Sequence, residues 1–399
     1  MPVVVPPALT AFRRPVRLVV SGGGSGGHAF PAVAVVQSAR AALAEHGLEL
    51  EPFWIGSEHG IEAKIAAEQG VPYTAIPTGK LRRARNPLAM LSAANLKDAG
   101  KVPAGVTEAI SVVGDLKPDA VLCTGGYVSV PVGLAARFRH RPLIIHEQTV
   151  QVGLANRITM RGATRIALSQ ELALELLPER LRDRAVVTGN PLRTGLMDGD
   201  GRAAPARLGW TGWDPDLPTV YVTGGSLGAR QVNNLVAAIL PDLLQRANVL
   251  HQAGGKMIDE ALAAAEAIPE ELRPRYLAQP FIGDEIADVF ALADVVISRS
   301  GANTISELTA LGKPSVLIPL IPTGGDEQRR NAKHLADQGA ARVLAGDDAT
   351  PARLSEELGA LLGDAERRRE MAERARALGR PDAAAALTSE VLRLCADPS

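Results

Sequence analysis

Leu18-Val19-Val20-Ser21-Gly22-Gly23-Gly24-Ser25-Gly26-Gly27-His28-Ala29-Phe30-Pro31 reads as a β-branched run, a glycine-rich turn and the opening of a helix. The same order returns half a chain later. Val220-Tyr221-Val222-Thr223 leads into Gly224-Gly225-Ser226-Leu227-Gly228, followed by an amphipathic stretch over Val232–Ala247. Further apolar runs predict strands at Arg17–Ser21, Phe53–Ile55, Ala120–Cys123, Leu143–His146, Thr219–Thr223, Asp294–Ser298 and Ser315–Ile318. Helix-like segments such as Pro31–Ala44 and Thr304–Leu311 lie between them. Short buried strands alternating with helices imply parallel sheets joined by right-handed crossovers. Two strand–turn–helix openings imply an α/β chain of two Rossmann-like domains. Ligands of such sheets bind beyond the carboxyl ends of the strands, so the expected site is a cleft between the domains.

The rest of the chain fits that division. Its 399 residues suggest about two domains. Hydrophobic residues are 46% and charged residues 22%, a globular balance, and with only 3% aromatics the core must be built from Ala, Val, Leu and Ile. Met1 to Pro15, with Pro2, Pro6 and Pro7, predicts a loose tail (1–15). Its Arg13 and Arg14 follow the apolar stretch, the reverse of a signal peptide. Asp198 to Pro218 is rich in Gly, Pro and Asp, the composition of an exposed linker. The predicted partition is therefore a tail at 1–15, a first domain at 16–195, a linker at 196–217, a second domain at 218–380 and a terminal helix at 381–399. A net charge of −1 argues against a general nucleic-acid binder. Two cysteines outside any CxxC pattern, Cys123 and Cys395, point to a reducing cytoplasm and give no zinc signature. No run of about 18 apolar residues occurs free of charge, Gly or Pro, so no transmembrane helix is predicted and any contact with a membrane would be from its surface. Lys80-Leu81-Arg82-Arg83-Ala84-Arg85, with Leu88, Met90 and Leu91 close behind, reads either as a solvated loop or as a patch for an anionic membrane.

Several polar groups fall where chemistry is possible. A strand-to-helix turn aims backbone N–H groups and a helix dipole at whatever sits above it, which favours phosphate. His28 stands at the mouth of the first turn, where a helix N-terminus disfavours the imidazolium; a neutral ring can accept a proton or serve as a local cap. Ser226 in the second turn could hold a diphosphate. Glu307, in Ser298-Arg299-Ser300-Gly301-Ala302-Asn303-Thr304-Ile305-Ser306-Glu307, has two readings. Thr304-x-x-Glu307 matches a capping box, whereas a two-oxygen acceptor also suits a ribose diol. Thr323 to Asn331 is a charged loop after a strand, exposed or sugar-reading. The formal G-x-G-x-x-G in the first turn keeps an NAD-dependent oxidoreductase open, with Glu58 near the end of the second strand. The second glycine-rich turn counts against it.

In order, the chain then carries Gly26-Gly27-His28 with Phe30-Pro31, Gly125-Gly126-Tyr127-Val128-Ser129, His146-Glu147-Gln148 with Gly153-Leu154-Ala155-Asn156, and Gly189-Asn190-Pro191-Leu192-Arg193. Gly224-Gly225-Ser226 with Gly228-Ala229-Arg230, Pro280-Phe281-Ile282, Arg299 through Glu307, and Glu327-Gln328 with Asn331-Ala332 follow. In these motifs, from about Arg17 to about Arg393, the chain resembles the family 28 glycosyltransferases that make lipid II from lipid I in peptidoglycan synthesis. The resemblance implies a GT-B fold, two Rossmann-like domains with parallel sheets facing across a cleft, and a last helix crossing back to the first domain. It implies UDP-GlcNAc as donor and lipid I, undecaprenyl-diphospho-MurNAc-pentapeptide, as acceptor, with inversion at the sugar and neither metal nor cofactor. It implies a place on the cytoplasmic face of the plasma membrane, held peripherally on an anionic surface, with no nucleic acid as partner. By motif matching, His28 is the catalytic base and Ser25, Gly26 and Gly27 face the reacting centre. Ile282 meets uracil, Glu307 the ribose, and Ser226 with Arg193 the diphosphate. Ala302, Asn303, Thr304, Ile305, Ser306 and Gln328 line the sugar and phosphate region. Thr149 stands where the family usually has Asn, and a hydroxyl cannot supply an amide's paired donor and acceptor. That departure leaves room for another GT-B transferase, acting on a different lipid-linked or antibiotic-precursor acceptor.

Overall fold

The protein is described from a computed structural model covering residues 1–24, 26–58, 60–79, 93–321 and 326–397, with side chains described from residue 100 in the third helical stretch. It divides into two compact units, Met1–Arg193 with Asp382–Ser399, and Thr194–Pro381.

The first unit holds a seven-stranded parallel sheet: β1 (Val16–Gly22), β2 (Leu50–Ser57), β3 (Tyr73–Ile76), β4 (Ala120–Gly125), β5 (Leu143–Glu147), β6 (Arg165–Leu168) and β7 (Ala185–Val187). Its order is β3-β2-β1-β4-β5-β6-β7. Alternate residues of β1 serve opposite faces. Leu18 and Val20 join a core with the helix Gly26–Ala44, while Val19 joins a second core with Val121, Ile145 and Val132. Both faces are covered, which is why the strand reads as an unbroken apolar run. The helix Ala383–Ala396 packs on Gly26–Ala44 and sends Leu387, Val391, Leu392 and Cys395 into the first of these cores.

The second unit holds six parallel strands: β8 (Thr219–Thr223), β9 (Asn248–Gln252), β10 (Tyr276–Gln279), β11 (Val295–Ser298), β12 (Ser315–Leu317) and β13 (Arg342–Val343), in the order β10-β9-β8-β11-β12-β13. In each sheet the order reverses beside the strand that carries a glycine-rich turn, between β1 and β4 and between β8 and β11. These are the switch points where open α/β sheets bind ligands.

Two segments differ from the reading of composition. Met1–Pro15 is packed, not loose. Pro7–Ala11 forms a 3₁₀ turn that buries Leu9 in the core beneath Ala383–Ala396. The Val4 N–H donates to Ser389 Oγ at 2.9 Å, and Arg14 pairs with Asp119 at 2.8 and 2.5 Å. Prolines prevent a helix there, but the core completed by the distant terminal helix gives the apolar residues a place to bury. The stretch read as linker is part of the second unit. Trp210 is buried and its indole N–H donates to the Pro274 carbonyl at 2.9 Å. Asp288 takes the Asp200 N–H at 2.7 Å and pairs with Arg207. The Gly, Pro and Asp content here reflects close packing, not exposure: a Cβ at Gly199 would lie 2.1 Å from the Ala287 carbonyl oxygen. Glycine there lets the chain lie against the helix Ile286–Leu292.

Candidate functional site

In the first unit, β1 ends at Gly22 and is followed by Gly23 and Gly24 ahead of the helix Gly26–Ala44, and β4 delivers Gly125 and Gly126 beside that glycine stretch. The two turns are in close contact. A Cβ at Gly126, whose φ is +83°, would lie 2.2 Å from the Gly23 carbonyl oxygen, so only glycine fits. His28, third residue of the helix, is half-buried. Its Nδ1 lies 3.1 Å from the Thr124 carbonyl oxygen, and Thr124 Oγ1 donates back to the His28 carbonyl at 2.5 Å. A carbonyl only accepts, so Nδ1 carries the hydrogen and Nε2 keeps a lone pair. Burial pushes the imidazole below its ordinary pKa, against a smaller opposing pull from the Glu147 carboxylate. The ring is therefore a neutral base at physiological pH.

Around His28 lies a polar framework. Gln148 Nε2 donates to the Thr124 carbonyl at 2.9 Å. Glu147 is buried, and its carboxylate accepts from the Thr149 N–H at 3.1 Å, the Gly153 N–H at 2.8 Å and Asn156 Nδ2 at 2.9 Å. Thr149, 9% exposed, has its Oγ1 2.9 Å from Glu147 Oε1 and 2.7 Å from the Gln151 carbonyl. A hydroxyl has one hydrogen for these two acceptors, so Thr149 braces the loop 147–151. Sequence reasoning missed Glu62. This fully buried carboxylate, without a basic partner in any described ion pair, accepts from the Ser57 N–H at 3.1 Å, Ser57 Oγ at 2.6 Å and the Gly24 N–H at 3.3 Å. It ties the end of β2 to the glycine-rich turn. Arg193 stacks over the Phe30 ring at 5.4 Å, within the first unit, whereas Ser226 belongs to the second. Ser25 and Lys80–Arg85, with Leu88, Met90 and Leu91, lie outside the described residues.

In the second unit, β8 leads into Gly224–Gly228 and then the helix Arg230–Leu243. The Gly228 N–H closes a turn onto the Gly225 carbonyl at 3.0 Å, which leaves Ser226 and Leu227 (83% exposed) at its tip. The Gly228 backbone, at φ +74°, passes so near Ala253 that a Cβ would meet its carbonyl oxygen at 2.0 Å. Beside it, β11 delivers Arg299–Gly301 to the helix Ala302–Leu311. That helix begins earlier than its pattern predicts. Gly301 is its N-cap, extended at φ −66° and ψ 154°, and Thr304 lies inside the first turn. Thr304 and Glu307 therefore do not form a capping box, and one competing role for Glu307 is removed. Glu307 is 7% exposed, about one and a half turns before the left-handed Gly312. Ser306 Oγ bonds back to the Ala302 carbonyl at 3.0 Å. Gln328 Oε1 accepts the Leu320 N–H at 2.9 Å, and Ser300 Oγ donates to the Gln328 carbonyl at 2.7 Å, so the loops after β11 and β12 are joined. Thr323–Gly325 lie outside the described residues. Ile282 is buried, and its N–H donates to Gln252 Oε1 at 2.8 Å, so of its two backbone polar groups the donor is already engaged. Gln252 was also missed, because a polar residue at a strand end gives no local signal of the segments it joins.

Among the described residues, no group of three or more His, Cys, Asp or Glu gathers that could hold a metal ion. No helix among them is long and apolar enough to cross a membrane. Glu58 lies just past β2 and is exposed.

Comparison with known proteins gives a consistent result. Residues 18–168 match the glycosyltransferase family 28 N-terminal domain, and residues 219–387 match its C-terminal domain. A Lachnospira eligens protein named UDP-N-acetylglucosamine–N-acetylmuramyl-(pentapeptide) pyrophosphoryl-undecaprenol N-acetylglucosamine transferase is 40% identical over 333 residues, 83% of this chain and 87% of that protein. A Treponema denticola protein of the same name is 37% identical over 346 residues, 84% and 85% of the two chains. Among solved structures, Acinetobacter baumannii MurG aligns with a TM-score of 0.71 at 28% identity, over 95% of this chain and 100% of that one. The UDP-GlcNAc 2-epimerase of Neisseria meningitidis shares the fold, with a TM-score of 0.64 at 14% identity over 94% of this chain and 99% of that one.

Proposed function

The chain belongs to glycosyltransferase family 28, and from that premise we propose that it transfers GlcNAc from UDP-GlcNAc to the C4 hydroxyl of lipid I, giving lipid II. The observation that carries the chemistry is the tautomer of His28. Its Nδ1–H is held by the Thr124 carbonyl, so Nε2 is the nitrogen that carries the lone pair. In the reaction Nε2 takes the proton of the acceptor hydroxyl as its oxygen attacks the anomeric carbon. The bond from that carbon to the diphosphate breaks, UDP leaves with the electron pair, and the configuration inverts. The first unit serves the acceptor through Gly26, Gly27 and His28, with Ser25 assigned to it by motif alone. The second serves the donor: Ile282 through its carbonyl to uracil, Glu307 to the ribose hydroxyls, Ser226 and the turn beneath it to the diphosphate. Asn303, Thr304 and Gln328 serve the sugar and phosphates, with Ala302, Ile305 and Ser306 shaping that wall. Backbone N–H groups at helix starts are the stabilisers of charge on the departing UDP. Thr149 acts through Glu147 rather than on the sugar.

Purified protein with UDP-GlcNAc and a lipid I analogue should release UDP and yield the disaccharide product with an inverted linkage. Absence of transfer, with turnover on another lipid-linked acceptor, would favour the alternative acceptor class. We place the protein peripherally on the cytoplasmic face of the plasma membrane, a reading supported by the Lys80–Arg85 cluster and its apolar neighbours. Reversing two of those charges should weaken binding to anionic vesicles at low salt; unchanged binding would remove the patch from the account.

A further inference from the structure

Gln252 ends β9, between β8 and β10, and is only 4% exposed. Its amide joins three separate segments. Nε2 donates to Thr223 Oγ1 and to the Gly225 carbonyl, each at 3.1 Å, and Oε1 accepts the Ile282 N–H at 2.8 Å. Thr223 Oγ1 also accepts the Gly225 N–H at 3.0 Å. The orientation of the amide is forced by its neighbours. Flipped, it would set NH₂ against an N–H and oxygen against a carbonyl, two repulsive contacts in place of three bonds. Both amide hydrogens and the carbonyl are thus engaged, as burial of a polar group requires.

We propose that Gln252 is a positioning residue that sets nucleotide specificity. It fixes the distance between the Gly225–Ser226 turn and the base-reading segment at Ile282, and by occupying the Ile282 N–H it leaves that residue an acceptor only. An acceptor matches a pyrimidine with a hydrogen on N3, as in uracil, and mismatches cytosine, whose N3 is itself an acceptor. The inference rests on the reading that the second unit binds UDP through Ile282, Ser226 and Glu307. Losing Gln252 releases the Ile282 N–H and lets the turn and the base segment move apart.

The test is binding of UDP and CDP to the full-length protein, with melting temperature and steady-state kinetics alongside. In Gln252→Met, of similar volume, UDP affinity should fall about tenfold, the effect of one or two lost hydrogen bonds, and CDP affinity should fall far less. The UDP-to-CDP preference shrinks accordingly. Donor KM should rise by a similar factor while kcat at saturating donor changes much less. Gln252→Glu keeps the acceptor for Ile282 but sets an oxygen against the Gly225 carbonyl, so it should weaken UDP while retaining the preference over CDP. It carries the test if the Met variant does not fold. Equal losses for UDP and CDP with a lowered melting temperature, unchanged binding, or failure of both variants to fold would each overturn the proposal. Glu307→Ala separates the two levels. If it weakens UDP while Gln252→Met does not, the inference fails and the donor site stands; if neither variant affects UDP, the donor site itself is wrong.

Discussion

The Nδ1 atom of His28 lies 3.1 Å from the main-chain carbonyl oxygen of Thr124, and this contact decides which ring nitrogen holds the lone pair. Thr124 is the penultimate residue of β4, and His28 stands in the first turn of the helix that follows β1, so the switch point of the sheet sets the tautomer.

His28→Ala should cut turnover roughly 10²-fold or more, the low end for loss of a general base. UDP affinity and melting temperature should stay near those of the parent, because UDP is assigned to the second unit and Thr124 remains in its strand. Steady-state kinetics with a lipid I analogue, beside calorimetric titration of UDP, measures both. Near-normal turnover would remove His28 from the mechanism.

The pH profile should follow from the same ring. Burial holds the folded pKa of His28 below 6.5, so the neutral, active form persists as pH falls below that value. The acid limb of kcat should therefore lie below pH 6.5, with kcat level above it until another group titrates. A limb centred above 6.5 would contradict the burial argument. In His28→Gln the residual rate should lose this limb.

Glu307 should read the ribose. With the capping box excluded by the position of Gly301, a carboxylate remains at the switch point of the second sheet. Hydrogen bonds to charged groups contribute about 1.5–3 kcal/mol each, so Glu307→Ala should weaken UDP at least about tenfold. The parent should prefer UDP over 2′-deoxy-UDP, and the variant should not distinguish them. Equal preference in both proteins would show that the carboxylate does not face the 2′-hydroxyl.

Much of this arrangement was legible in the sequence, for one physical reason. Strands buried on both faces, such as β1 and β8, must be apolar throughout, so they stand out, and the glycine turns after them mark the points where each sheet's order reverses. All seven strands read from apolar runs are present. β9 was not read because Asn248, His251 and Gln252 are buried polar residues, 0%, 2% and 4% exposed, satisfied by partners far along the chain. Nothing local announces such partners. The same holds for Glu62, whose carboxylate serves a turn 38 residues away. Helix starts were read late at Gly26 and Ala302 because glycine and small polar residues resemble loop until the strand before them fixes the turn. The packed N-terminal segment depended on a helix at the opposite end of the chain.

Two of the buried histidines should make the protein acid-sensitive. Burial pushes His146 and His251 down to about 4. His146 Nε2 lies 3.0 Å from the Gly189 carbonyl, while its Nδ1 is buried without a partner. In His251, Nδ1 lies 2.8 Å from Tyr276 Oη and Nε2 lies 3.1 Å from Asn233 Oδ1. Unfolding restores a pKa near 6.5, so between about pH 6.5 and 4 the unfolded chain binds more protons than the folded one. Stability therefore falls as pH falls through that window and is level above it with respect to these groups. A shift of this size corresponds to about 3 kcal/mol per histidine by pH 4. The two residues lie in different units, so each unit should show its own loss. Denaturant unfolding at a series of pH values measures it. His251→Gln, which retains an amide for Asn233 and Tyr276, should flatten the second unit's slope by up to one proton while leaving the first unit's slope intact. An unchanged slope in that variant would mean that His251 is protonated in the folded state, contrary to its burial.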